Sequence, residues 1–201
     1  MIVATVNRFV LTSLSFAFLA SFSLISCGPG NEKTDNRMDS KESAEEHNEA
    51  KFNSNAEKDA QFLVDAATIN LEEIHLGDLA SSKGVTNEVK EMGKALSAEH
   101  SKLQAELSNL AKEKGITIPT TVPESVTKKY NNLNSEASIY FDKEYASMMV
   151  EGHKEAISTF ESAATNSEDA DIRDWASKML PLLRSHLDEA MNCENKLSAS
   201  K

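Results

Sequence analysis

The chain has few of the residues that break helices and no pattern that would build strands. Seven glycines and four prolines are spread over 201 residues, and no segment alternates apolar and polar residues at period two. A β-sandwich or barrel, which needs turn residues at short intervals, is excluded. Cysteine is scarcer still, at two residues. There is no zinc-ribbon cysteine pattern and no Gly-rich loop to cradle phosphate. No serine or cysteine nucleophile is paired with a base by its spacing. Basic residues are outnumbered, 21 Lys and Arg against 32 Asp and Glu, for a formal net charge of -11. Without a basic stripe, such a surface argues against nucleic acid as a partner. It argues equally against electrostatic docking on anionic lipid.

What is present begins with a targeting segment. Arg8 is followed by an apolar run from Phe9 to Ile25 that ends Leu24-Ile25-Ser26-Cys27. A basic residue, a short apolar stretch and a small residue before the cut describe a secretory signal over residues 1–26. The last four residues resemble the bacterial lipobox, whose cysteine carries lipid and becomes the new N-terminus. A transmembrane anchor is the alternative, but the run is near the lower limit for a span and rich in Ser. The membrane contact expected is therefore lipid on Cys27, whose multiple acyl chains hold firmly where one would not. Gly28 follows it instead of the acid associated with inner-membrane retention, so the expected location is the outer membrane, facing the periplasm. Cys193 then has no disulfide partner, and its place on a helix seam marks a buried thiol acting as a small apolar residue.

Residues 27–53 are dense in Glu, Asp, Lys, Asn and Ser, with almost nothing apolar. They cannot offset their own ordering entropy and read as a disordered tether, with His47 solvated in it. Residues 54–198 read as helices. Ser54 and Glu57 form a capping-box pattern for the first, which Gly84 stops. Thr86 opens the second and Gly115 ends it. Pro119 and Pro123 mark a longer connection, in which Thr121 and Glu124 repeat the capping-box pattern before a short helix to about Asn131. Asn134 or Ser135 begins the third long helix. Glu168, Asp169 and Asp171 place acid in the first turn of the fourth, where the helix dipole favours it. Short turns near Gly84 and Ser167 make antiparallel neighbours. The expected fold is an all-α, up-down-up-down four-helix bundle with a short extra helix between its second and third members. Pro181, inside the last helix, is expected to kink it.

Each long helix carries an apolar stripe, and a polar residue interrupts each stripe. Phe62, Ala66, Ile69, Leu76 and Ala80 are interrupted by Glu73. Val89, Met92, Leu96, Leu103 and Leu107 miss a step at Glu99 and His100. Phe141, Tyr145, Met149, Ala156 and Phe160 are interrupted by His153, and Ile172, Ala176, Met179, Leu183, Ala190 and Cys193 by His186. Burying such groups unpaired costs several kcal/mol, so four interruptions need a reason. At about 1.5 Å per residue, measured from an end holding both short turns, the four lie about 16 to 27 Å down, in one central band. Gly77, Gly93 and Gly152, on or near the core face, point to close helix approach or to room for a side chain. Met149 and Met179, whose thioethers would suit Cu(I), read as packing, and Tyr145 and Trp175 as amphipathic residues at the core edge.

The run Asn70–Ala80, then Val89-Lys90 leading to Glu99-His100, then Phe141-Asp142 with Tyr145 and His153, then Leu180-Pro181 with His186-Leu187 resembles one bacterial envelope family. It is the domain of unknown function 4142, often labelled putative outer membrane protein and ferritin-like in fold. The resemblance spans about residues 57 to 197. It implies a ferritin-like bundle with Glu73, His100, His153 and His186 as polar core residues and Glu99 and Asp142 nearby. It implies no settled activity.

Ferritin-like di-iron sites use a Glu from two helices and Glu-x-x-His from the other two. Here Ser97, Val150 and Leu183 stand three before the histidines. The one Glu-x-x-His, Glu72 with His75, is phased so that His75 faces out while Glu73 faces in. Di-iron chemistry is disfavoured, and no catalytic residue is identified. Three imidazoles and a carboxylate suit one transition metal, Zn, Cu or Fe, with Glu99 and Asp142 supporting them. The alternative is a metal-free structural or interaction module whose Glu73 hydrogen-bonds the histidines and fixes helix register. A small-ligand cavity is a third reading, and no protein partner is named by the sequence.

Overall fold

The computed structural model describes residues 38–199. Six helices account for nearly all of them: α1 Ser40–Glu49, α2 Ser54–Lys83, α3 Asn87–Lys114, α4 Glu124–Ser135, α5 Ser138–Asn166 and α6 Ala170–Ala199, with no strand among the described residues. The signal segment, Cys27 and the first part of the expected tether lie outside them. None of these helices is long and apolar enough to cross a membrane.

Local chemistry sets most boundaries. The Asn53 side chain accepts from Ala56 N–H to cap α2, one residue ahead of the expected Ser54. Thr86 caps α3 through Val89 N–H, and Gly115 closes it in the left-handed conformation, at φ 64°. That conformation favours glycine because it lacks a Cβ. Asp169 accepts from the N–H groups of Asp171 and Ile172 to open α6. α6 runs on through Pro181. The expected Thr121 cap does not form. Pro123 precedes α4 without a side-chain cap bond, and Asp39 accepts from Glu124 N–H instead. α4 also runs on to Ser135, so α5 starts at Ser138 rather than at Asn134 or Ser135.

The tether expectation fails over residues 40–49, which form α1. Its buried face is only Ala44 and Asn48, too small to register as an apolar stripe. Asn48 acts through its amide: it donates to the Thr117 carbonyl at 2.8 Å and accepts from Thr117 N–H at 2.9 Å. Ser40 adds a bond to the Thr121 carbonyl. α1 thus pins the segment that follows α3. His47 on this helix is exposed, as expected.

α2 and α3 form one antiparallel hairpin and α5 and α6 the other. In the first, Gly77 and Gly93 face each other so closely that a Cβ on either would lie 2.6 Å from the other's carbonyl oxygen. Close approach is what these two glycines provide. The hairpins are joined by exchanged caps. Asp142, in the first turns of α5, accepts from Val85 N–H, Thr86 N–H and the Thr86 hydroxyl, each at 2.8 Å. Asp59, near the start of α2, accepts from Glu168 and Asp169 N–H. Each carboxylate caps the turn of the opposite hairpin.

These caps overturn the up-down-up-down order. α5 starts beside the α2–α3 turn, and α6 starts beside the beginning of α2. The two short turns therefore sit at opposite ends, and α5 runs parallel to α3. Lys114 at the end of α3, paired with Asp169 and Asp171 at 2.6 Å, agrees with this. The connection over 115–137 must travel the length of the helices. Its helix α4 does so along α2, where Lys129 pairs with Glu72 and Lys83 donates to the Asn134 carbonyl. Helical stripes carry no record of chain direction, which is why they could not separate the two orders.

Apolar packing falls into two clusters. One gathers Phe62, Leu63, Leu107, Phe160, Ile172 and Trp175 near the α5–α6 turn. The other gathers Leu76, Val89, Leu96, Phe141, Tyr145 and Cys193 near the α2–α3 turn. Met179 packs against the first and Met149 belongs to the second. Between them, each long helix contributes polar side chains to the core.

Candidate metal centre

His100 from α3, His153 from α5 and His186 from α6 meet in this middle layer, and Glu73 enters it from α2. Each occupies an interrupted step of an apolar stripe, so the helices that bury the stripes also bury these groups. The relative exposures are 0% for His100, 1% for His153, 4% for His186 and 4% for Glu73. The ring centroids are 5.3 Å apart for His100–His186 and His153–His186 and 5.9 Å for His100–His153. One nitrogen from each ring lies within 4.8 Å of the other two. The centre of such a triangle is at most about 2.8 Å from each nitrogen, against about 2.0–2.1 Å for a Zn–N bond.

The bonds made by the other ring nitrogens fix what faces this centre. His100 Nδ1 is 2.9 Å from Asn70 Oδ1. The Asn70 amide nitrogen donates to Gln104, which orients its oxygen toward the ring. His153 Nδ1 donates to the Met149 carbonyl at 2.8 Å. His186 Nε2 donates to Glu99 Oε2 at 2.6 Å. All three partners are acceptors, so each of these nitrogens carries a proton. The remaining nitrogens, His100 Nε2, His153 Nε2 and His186 Nδ1, which are lone pairs in the neutral rings, are all buried with no hydrogen-bond partner. Three lone pairs cannot bond one another. A divalent cation satisfies all of them at once, and the outer bonds are those that orient metal-bound histidines.

Glu73 stands beside the triad without joining it. Its Oε1 is 3.8 Å from His153 Nδ1, a nitrogen already engaged with Met149. Its Oε2 is buried and unpartnered. Burial raises its pKa to about 8, the nearby Glu72 adds to the rise, and Lys129 opposes it. The acid is held mostly protonated at neutral pH, where a cation in the triad would draw it to ionise. Burial first, then His186 and His153, hold His100 well below the usual imidazole range. Burial also lowers His153 to about 4, opposed by the Met149 bond and aided by His186. Both rings are neutral, as metal ligands must be. The Tyr145 hydroxyl is a further buried group without a partner, and burial and then Glu73 raise its pKa well above the phenol value.

Glu99 therefore supports the triad from outside. Asp142 does not: its carboxylate is taken up by the α2–α3 turn, because it lies about three turns before His153 on α5. His75 is half-buried rather than exposed. Tyr145 and Trp175, read as core-edge residues, are buried. Sequence reasoning missed Asn70. It is a polar residue three before Glu73 on the same buried face, and an Ile69-centred stripe hid it. The Met149 carbonyl was not legible at all, since any residue there supplies one.

The family model for a domain of unknown function (DUF4142) matches residues 43–193, and the chain belongs to that family. No curated protein and no solved structure matches the chain.

Proposed function

We propose that this DUF4142 protein binds one transition metal ion in a ferritin-like helical bundle, and that lipid on Cys27 holds it at the bacterial outer membrane, facing the periplasm. One observation carries the metal reading: three buried imidazoles each keep one nitrogen without a partner, and the three rings bring a nitrogen each within 4.8 Å of one another. A metal-free network would need a donor among them, and no hydrogen bond links Glu73 to any of the three rings. The long connection between the two hairpins supports the ferritin-like reading, since one crossover is the mark of that topology.

His100 Nε2, His153 Nε2 and His186 Nδ1 would hold the ion, and Glu73, on the Nδ1 side of His153, would offset its charge from beside the triad. Three imidazole nitrogens, with the remaining position open, suit Zn, Cu or Fe. The layer has one carboxylate and three imidazoles where a di-iron centre needs paired Glu-x-x-His motifs, so the site is mononuclear. No catalytic residue is assigned.

Co(II) added to the full chain tests this. Visible absorption should saturate at one equivalent in the wild type and be lost in His186→Ala. Absence of any wild-type band at stoichiometric metal would overturn the site. Lipid anchoring rests on Leu24-Ile25-Ser26-Cys27. Cys27→Ser should release the protein from membranes or leave it unprocessed, and an unmodified Cys27 in membrane-purified protein would refute it.

A further inference from the structure

The triad is deeply buried, so a cation needs a way in. α2, α4 and α5 leave a groove on their outer side, made of two adjoining hollows of about 200 and 320 Å³ that share Glu72, Lys129, Gly152 and Glu155. Acid dominates its walls. Asp65, Glu72 and Glu155 border the inner hollow, and Glu136, Glu144 and Glu151 the outer one. Lys129 on these walls is bound to Glu72, and Lys41 pairs with Asp65, each at 2.6 Å.

Two features connect the groove to the histidines. Glu73 lines the inner hollow, yet it is 96% buried by its 4% exposure, and its Oε2 has no partner. Gly152 lies beside it on α5, one residue before His153. A Cβ there would sit 3.6 Å from Glu73 Oε1, so a side chain at this position would pack over the carboxylate from the groove side. A larger residue would close the wall between groove and triad.

We infer that this acidic groove is the portal through which a divalent cation reaches the three histidines, with Glu73 as the carboxylate that passes it inward. The inference rests on the metal reading above. Acid along the groove concentrates cations at its floor. There Glu73 offers one oxygen toward the groove while lying beside His153.

The test is the rate of Co(II) uptake by the full chain, followed by stopped-flow visible absorption. Gly152→Leu should slow uptake about tenfold, because entry would then require the wall to open, while the final amplitude stays that of the wild type. Glu155→Lys should slow it several-fold at low salt, with the effect shrinking as salt screens the groove. Glu91→Lys, in the acidic groove between α3 and α6, should leave the rate unchanged. Wild-type rates in folded Gly152→Leu overturn the portal, as does equal slowing by Glu91→Lys and Glu155→Lys. If Gly152→Leu does not fold, the Glu155 and Glu91 pair decides alone. Loss of the wild-type amplitude, by contrast, overturns the histidine site itself.

Discussion

The ends of the helix assembly and its middle treat buried carboxylates in opposite ways. At the ends, Asp59 and Asp142 are as buried as Glu73, at 5% and 6% exposure against 4%. Both end carboxylates are engaged by backbone N–H groups from the opposite hairpin. Their burial is compensated, and what they hold together is the fold. In the middle, Glu73 Oε2 and one nitrogen from each of three histidines have no partner. Leaving such a group unsatisfied costs about 1–3 kcal/mol. The middle layer therefore gathers buried polar groups that no other group of the described residues satisfies.

That contrast can be broken most directly by supplying metal. With free metal at about 100 times Kd, binding should stabilise the native state by about 2.7 kcal/mol. For a chain of this size that raises the melting temperature by about 5–10 °C. His186→Ala should lose nearly all of the increment in a thermal melt with and without Zn(II) at that free concentration. A shift retained in that variant would put the ion elsewhere.

The ends should respond to mutation and not to metal. Asp142→Ala and Asp59→Ala each orphan N–H groups at a hairpin turn and should destabilise by about 2–3 kcal/mol in denaturant titration. The Zn-dependent increment should survive in both. If either removed it, caps and centre would be one coupled unit.

Acid should sharpen the comparison further. His100 and His153 have pKa values lowered in the fold, His153 to about 4, against about 6.5 when unfolded. Their neutral forms contribute stability above the unfolded value, and it is lost as pH falls from about 6.5 toward 4. Glu73 has the opposite sign. Its pKa is raised to about 8, so its contribution is present below the unfolded value of about 4.3 and is lost as pH rises through 8. Metal-free Glu73→Gln should therefore lose stability more steeply than wild type between pH 6.5 and 4.5. Equal slopes would show that Glu73 does not titrate in the centre.

The smallest effect belongs to the helix face. His75→Ala, two residues from Glu73 and outside the polar layer, should change stability by less than about 0.5 kcal/mol. It should also leave the metal increment intact.

Much of this molecule was legible in its residues. The stripes on α2, α3, α5 and α6 exposed Glu73, His100, His153 and His186 as misfits, and helical rise placed them at one level. The depth estimate used the wrong chain order, with both turns at one end. It still found the layer because each misfit lies near the middle of its helix, where distance from either end is similar. Asp142 was placed near the centre by the family resemblance, on the same helix as His153. Its distance along that helix sends it to the turn instead. α1 escaped because its anchor is an amide, Asn48, gripping the backbone of Thr117, and hydrophobic periodicity does not see polar anchors.

The sequence by itself determined that the chain is helical, where α2, α3 and α6 begin, and that Glu73, His100, His153 and His186 face inward. Those properties depend on neighbours within a few residues: caps, a left-handed glycine and a period of 3.6. Only the tertiary structure decided the direction of α5 and α6 and which nitrogen of each histidine is left bare. Direction is set by Asp59 and Asp142, which reach turns more than fifty residues away in sequence. The bare nitrogens are set by Asn70, Glu99 and the Met149 carbonyl, whose reach to a ring depends on how helices pack and how side chains turn. Spacing along one strand of sequence holds no information about either.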